Sequence, residues 1–320
     1  MDLLKNPADP GYPVEYLLSR IKGRRSRLTR DWRPFLFGPA PHEPQPAVGP
    51  GSSYKESTSD AAWRELLKEY QWLYSQMNQQ LRATFTPYFL YAELRTICIG
   101  LRRLADKKDG AINELLDRSL LSDEVKDALA SSPELPTAVR EIERLFSELS
   151  GRFAGLAETL ETDGLRGVEQ RLVETCLSVT INSRLHPLMK MFFSRIIDGR
   201  NIMSVYKYLR FDLKSRPGFI PGGSIAALRM KEIMAKDDLM ALSALVREFT
   251  GVAVERPDPT SIERALYRGM THWLRKEGRE PFGVAPLLDY LWRCSIEAMN
   301  RSVLYHTRDL EREFVMAELV

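Results

Sequence analysis

The sequence contains few cysteines and no long hydrophobic run. Its three cysteines, Cys98, Cys176 and Cys294, include no C-x-x-C pair. This excludes a disulfide framework and indicates small buried thiols in a reducing compartment. No apolar run approaches the roughly 18 residues of a membrane-spanning helix, and the start MDLLKNPADPGYP lacks the apolar region of a signal peptide. We therefore expect a soluble intracellular protein.

The chain also lacks an excess of either charge. Its 46 basic and 43 acidic residues leave a net charge of +3, too small to indicate nucleic acid or an anionic membrane as the main partner. The clearest basic stretch, residues 13–30, carries apolar residues at helical spacing and predicts an amphipathic helix. Two interpretations stay open: a helix docked on the protein with a solvated basic face, which we favour, or a binding face for an acidic partner or phosphate backbone.

Signatures of catalysis and metal binding are absent as well. The four histidines, His42, His186, His272 and His306, occur without H-E-x-x-H, H-x-H or cysteine partners. The chain has no G-x-S-x-G, P-loop or kinase motif, and its glycine-rich turn at 221–223 lacks the Lys-Ser/Thr pair of a phosphate loop. We expect no catalytic residue, no metal or cofactor site and no small-molecule substrate.

The sequence contains one helical pattern that occurs three times. The copies, at 88–102, 192–210 and 291–307, each have an aromatic, an aliphatic, an acid and a small polar residue at matched offsets. The acids are 105 and 99 positions apart, too far for a solenoid repeat, and predict a small helical domain used three times. In order, the matched residues are Tyr88, Ala92, Glu93 and Thr96; Phe193, Ile197, Asp198 and Asn201; and Trp292, Ile296, Glu297 and Asn300.

Steps of four place the aromatic, the aliphatic and the polar residue on one helix face. Because a buried polar group without a partner is costly, we expect Asn201 and Asn300 to bond the acid one turn back or a neighbouring helix. Replacing Asn201 or Asn300 by leucine should then disturb helix register, and replacing an exposed Arg24 should do far less. A chance match among amphipathic helices is the alternative.

The three acids allow two interpretations. Glu93, Asp198 and Glu297 form a paired-carboxylate site if three domains converge. Alternatively they are helix-to-helix polar contacts or surface acids, which we favour.

Proline and capping residues predict the remaining organisation. Six prolines in 34–50 predict an exposed, non-helical arm. Helices are expected from Asp60, with Pro87 opening the first copy, from Ser122, from about 137 to 160 and from about 164 to 185. Further expected helix starts are Ser224 as a cap, the residues after Asp238, and a Thr260–Glu263 capping box, with a last short helix in the tail.

Several features together resemble the family that comprises the C subunit of V/A-type ATP synthases and the d subunit of eukaryotic V-ATPases. These are the triplication, the opening Y-L-L-S-R with its basic run, D-x-x-N-I-x-x-x-x-x-x-L-R in the central copy, G-F-I-P-G-G, and E-A-M-N-R-S-V-L-Y-H. The resemblance runs from about residue 82 onward, is strongest in 192–245 and 260–318, and extends to 13–30. The proline-rich stretch, and His306-Thr307-Arg308 in place of a basic glycine-rich junction, depart from the family pattern.

The resemblance implies an all-α, funnel-shaped protein of three similar helical bundles around a pseudo-three-fold axis. It implies a non-catalytic central-stalk connector between the rotor axle and the membrane rotor ring, which moves protons or sodium, on the cytoplasmic face as a peripheral component. A helical scaffold, and a nucleic-acid binder using the basic helix, are the alternatives. The expected segments are a basic helix at 1–33, a proline-rich arm at 34–59, and repeat domains at 60–150, 151–250 and 251–320.

Overall fold

The expected all-α fold is confirmed by a computed structural model, which describes residues 3–37, 59–106, 112–211, 217–280, 283–307 and 310–320. In these ranges the chain forms fourteen α-helices and one short 3₁₀ turn at Gly151–Phe153, and no strand, only two isolated β-bridges. The helices are α1 Val14–Arg25, α2 Arg33–Phe37, α3 Ser59–Gln76, α4 Gln79–Ala105, α5 Ile112–Asp117, α6 Asp123–Ala130, α7 Leu135–Leu149, α8 Leu156–Ile181, α9 Pro187–Phe211, α10 Ala227–Ala235, α11 Leu239–Thr250, α12 Pro259–Glu277, α13 Ala285–His306 and α14 Arg312–Glu318.

The chain divides into two compact units. Unit 1 comprises Met1–Tyr12, Tyr70–Ile197 and Ile220–Gly222, and unit 2 comprises Pro13–Glu69, Asp198–Phe219 and Gly223–Val320. The three repeat domains expected from the sequence, and their three-fold arrangement, stay a prediction.

Unit 1 has an aromatic core. Tyr88 packs with edge or tilted geometry on Tyr70, Phe89 and Phe192, with ring centroids 5.6–5.9 Å apart. Such pairs add to the free energy of apolar burial. The lead before α1 is tied to this unit by Arg82, whose buried guanidinium donates to the carbonyls of Pro7, Asp9, Tyr74 and Ser75.

Unit 2 has an aliphatic and methionine-rich core. Side chains of α9, α10, α11 and α12 bury one another, and α13 packs on α12. The basic helix α1 docks on this unit by its apolar face, because Leu17, Leu18 and Ile21 are buried. The docked apolar face is therefore confirmed, but the basic face is not fully solvated, because Arg24 and Arg25 form ion pairs within unit 2.

Two prolines lie inside helices, contrary to the prediction. Pro87 does not open a helix but lies inside α4, which runs on through the first repeated segment. An internal proline removes one helical hydrogen bond, and burial along α4 outweighs that loss. Pro34 is also helical, in α2, at a first-turn position where its missing N–H has no partner to lose. The rest of the predicted arm, 38–58, lies outside the described residues.

Other helices begin or end at residues different from those predicted, because of a glycine and an aspartate. The helix expected over 137–160 stops at Leu149, and α8 starts at Leu156 after Gly155, which has φ 88°. A left-handed backbone is easy for glycine and ends the helical path. Asp258, not Thr260, caps α12, since its carboxylate accepts from the N–H of Ser261.

The three repeated segments all lie in long helices, as predicted. They occupy α4, α9 and α13, and the aromatics Tyr88, Phe193 and Trp292 are buried. Two of the cysteines, Cys176 and Cys294, are buried free thiols, and Cys98 is half-buried. Among the helices that the structure describes, none has the length and apolar character to cross a membrane.

Candidate functional site

The first acid, Glu93, is completely buried on α4 in unit 1. Its carboxylate accepts from the hydroxyl of Ser119 at 2.9 Å and from the N–H of Leu120 at 2.7 Å. Ser119 also accepts from the N–H of Leu121, so the acid and the hydroxyl together fix the backbone just before α6. Glu93 therefore holds a loop in place from inside the core.

Burial raises the pKa of Glu93 above its usual range. The N–H of Leu120 and the hydroxyls of Thr96 and Ser119 oppose this rise, because they stabilise the charged form. A folded pKa above the unfolded one means that the folded chain binds more protons between the two values. The stability that Glu93 contributes is then complete below the unfolded pKa and is lost as pH rises through the folded pKa.

We expect Glu93→Gln to remove this pH dependence. The glutamine does not titrate, so the melting temperature of the wild-type chain relative to the variant should fall as pH rises from about 5 to about 8. Thermal melts of both chains across this range measure the effect. A relative stability that instead rises with pH would show that the folded pKa of Glu93 is lowered, contrary to its burial.

The second acid, Asp198, is completely buried on α9 in unit 2. It accepts from the N–H of Ser224 at 2.9 Å, the hydroxyl of Ser224 at 2.6 Å and the N–H of Ile225 at 3.0 Å. The expectation that Ser224 caps a helix is therefore wrong: α10 begins later, at Ala227, and the hydroxyl binds Asp198 instead. A capping serine accepts from the N–H groups of a helix start, whereas Ser224 donates its hydroxyl and its N–H to the buried carboxylate of Asp198.

The third acid, Glu297, lies on α13 in unit 2 and is 9% exposed. It accepts from the N–H of Thr29 at 3.0 Å and from the Thr29 hydroxyl at 2.8 Å. Arg301, one turn along α13, pairs with the same carboxylate. Glu297 thus fixes the backbone just before α2.

The three acids share one arrangement, which we call the acid–loop contact: an acid on a long helix, with a Ser or Thr hydroxyl and backbone N–H donors from a loop that precedes a shorter helix. For Glu93 and Asp198 the hydroxyl lies 26 residues after the acid. For Glu297 it lies 268 residues before it. The hydroxyl and N–H donors of the first two acids therefore come from loops that follow them in the chain. The donors of Glu297 come instead from the N-terminal segment around Thr29.

These contacts test whether the acids lie at the surface or form polar contacts, and the paired-carboxylate interpretation stays a prediction. All three acids are buried and each has its own loop donors, so the surface interpretation is wrong and the polar-contact interpretation fits. The partners are loops rather than neighbouring helices. Sequence reasoning missed Ser119, Ser224 and Thr29, although the equal spacing of the two serines from their acids was a readable signal.

The polar residue three positions after each acid is buried, as predicted. Thr96 bonds Glu93, the acid one turn back on α4. Asn300 instead exchanges two 3.0 Å hydrogen bonds with the backbone of Val320, which follows α14 and lies in no helix. Asn201 is 3% exposed and also has a partner. Asn300 therefore fixes the tail rather than helix register.

We expect Asn300→Leu to release the tail 312–320. The substitution removes both partners of the half-buried Val320 backbone, at a cost of up to about 1–3 kcal/mol, less where water replaces them. Backbone amides of α14 should then exchange hydrogen with solvent faster, while those of α12 keep their protection. Hydrogen-exchange mass spectrometry measures both helices in one experiment, and equal rates in variant and wild type would contradict the assignment.

Two of the three arginines of α1, Arg24 and Arg25, are partners of buried acids. Arg24 pairs at 2.5 Å with Glu69, which also accepts from the Tyr290 hydroxyl at 2.7 Å. Arg25 pairs with Asp289, a completely buried acid. The prediction of an exposed, dispensable Arg24 is therefore wrong, because its side chain is only 29% exposed and neutralises Glu69.

Burial raises the pKa of two side chains near Glu69, those of Tyr290 and Cys294. Burial raises the pKa of the Tyr290 hydroxyl, and the nearby Cys294 and Glu69 add to the rise. Burial also raises the pKa of the Cys294 thiol, so this cysteine stays protonated. An inert thiol agrees with the interpretation of the cysteines as small buried residues.

Comparison with known proteins identifies the family of this chain. The family model described as ATP synthase (C/AC39) subunit matches residues 49–300. The chain belongs to this family. A search of curated proteins returns no match.

The matched range of the C/AC39 family contains all three acids and the loops of the first two. It begins before residue 82, where the resemblance was expected to start, and it includes neither 13–30 nor 301–318. Thr29, which completes the third acid–loop contact, is therefore outside the match. The family shows that the chain is an ATP synthase subunit, as the resemblance predicted.

Proposed function

We propose that this protein is the non-catalytic central-stalk connector of a rotary V/A-type ATPase or ATP synthase, joining the central axle to the membrane rotor ring. Ion translocation, of protons or sodium, would be coupled through it to ATP chemistry. We further propose a peripheral position on the cytoplasmic face and a funnel of three similar bundles.

The observation that carries this proposal is the threefold use of the acid–loop contact inside a member of the C/AC39 family. A connector that transmits torque has to resist deformation at the joints between its helices. Fully satisfied buried hydrogen-bond networks rigidify the groups they join. Glu93, Asp198 and Glu297 each fix such a joint, which suits a mechanical part better than a flexible adaptor.

The alternative of a nucleic-acid binder is not favoured by the contacts of α1. Arg24 and Arg25, in the middle of the basic run, form ion pairs inside the protein. Releasing them for a phosphate backbone would leave Glu69 buried without its cation and would remove one of the two cations of Asp289, which is unfavourable. A generic helical scaffold is the remaining alternative.

Affinity purification separates the connector from the scaffold. We expect the tagged full chain, taken from detergent-solubilised membranes of its own cells, to carry axle and ring components of one ATPase in fixed ratio. Crosslinking mass spectrometry should join the chain to both. Crosslinks to stationary components alone, or to no part of an ATPase, would contradict a rotor connector.

The isolated chain should not hydrolyse ATP. The sequence contains no phosphate-binding loop and no set of residues to hold Mg²⁺ beside it. A phosphate-release assay on the purified chain, compared with a mock preparation, should give equal rates. Turnover that copurifies with the chain through every step would overturn this part of the proposal.

A further inference from the structure

A cavity of about 470 Å³ lies within unit 2, lined by the end of α1, the segment before α2, and side chains of α12 and α13. Five cationic side chains line it: Lys22, Arg25, Arg30, Arg275 and Arg293. Among the described lining residues Glu297 is the one acid, and it is already held by Thr29 and Arg301. The cavity is therefore cationic.

The side chains around it carry more positive charge than their partners neutralise. Lys22, Arg30 and Arg275 are exposed and have no acidic partner among the described residues. Arg25 and Arg293 share a single acid, Asp289. Three unpaired cations and one surplus arginine leave four positive charges, compared with +3 for the whole chain.

The cations also repel one another. Burial lowers the pKa of Arg25, Asp289 opposes this effect, and the charges of Arg293 and Arg275 lower the pKa further. A bound anion would relieve this repulsion. The volume lies in the range of small-molecule sites, and guanidinium groups match the oxygen geometry of phosphate.

We propose that this cavity binds a small anion carrying two or more phosphate groups. The sequence predicted no small-molecule substrate, because the cations come from separate stretches, around α1 and on α12 and α13. The same chemistry is offered by a soluble polyphosphate and by the headgroup of a phosphorylated inositol lipid. The proposal does not depend on the connector function.

The test is calorimetric titration of the full chain with sodium tripolyphosphate, with a second arm using phosphatidylcholine vesicles doped with phosphatidylinositol bisphosphate. We expect saturable binding in at least one arm, weaker at higher salt. The double variant Arg30→Gln, Arg275→Gln should weaken it about ten-fold or more. Both residues are exposed and outside the ion pairs of α1, so the fold should be kept, as circular dichroism will show.

The matched control is Arg247→Gln on α11, an exposed arginine that does not line the cavity. It should change the dissociation constant by less than about two-fold. The arm that binds identifies a soluble or a lipid-borne phosphate source. No binding in either arm, or equal weakening by the double variant and the control, would overturn the proposal.

Discussion

Asp198→Ala should destabilise unit 2 by about 2–4 kcal/mol, because it removes the one buried acceptor of three donors. These donors are the N–H and hydroxyl of Ser224 and the N–H of Ile225. A donor left buried without an acceptor costs about 1–3 kcal/mol, and water can reduce this cost at Ser224, which is exposed. Urea unfolding followed by circular dichroism measures the total loss.

Two companion variants separate the contact from the mere loss of a charge. Asp198→Asn keeps one acceptor oxygen, so we expect a smaller loss than for alanine. Glu232→Ala removes an exposed acid from α10, which follows the same loop, and should stay within about 0.5 kcal/mol of wild type. If Asp198→Ala and Glu232→Ala were equally mild, the acid–loop contact would not hold the loop.

The second large effect is expected for the double variant Arg24→Ala, Arg25→Ala. It removes a cation from Glu69 and one of two from Asp289, both buried acids. Breaking a buried ion pair from one side typically costs about 3–5 kcal/mol, because an uncompensated charge stays behind. We expect the loss to appear as a lower melting temperature and faster hydrogen exchange in α1 and α13.

Arg27→Ala is the control for this prediction. Arg27 is an exposed arginine in the same basic run, just after α1, and forms no ion pair within the described residues. Its removal should leave the melting temperature almost unchanged. A double variant as stable as this control would mean that the ion pairs of α1 contribute nothing to docking, as expected for exposed pairs.

The sequence predicted the helical architecture because period and capping are local properties. The repeated face in 88–102, 192–210 and 291–307 predicted three long helices with buried aromatics and buried small polar residues, and the apolar spacing of α1 predicted its docked face. The family followed from several such features in order, and the family match confirms it.

The partners of the acids were harder to predict because they depend on distant chain segments. Nothing near Glu297 indicates that Thr29 will be its donor, since the two are 268 residues apart. Arg24 was misjudged for the same reason: its acid, Glu69, lies across the proline-rich stretch. Ser224 was assigned to a helix cap because the capping rule considers only the next few residues, whereas its hydroxyl donates to an acid on another helix.

The most direct test of the connector function is coupling in membranes from cells that lack this protein. Without it, we expect ATP hydrolysis to be found in the soluble fraction and ATP-driven ion uptake by the membrane vesicles to be lost. Adding back the purified chain together with that soluble fraction should restore ion uptake. Ion uptake that is unchanged in membranes without the protein would contradict the account.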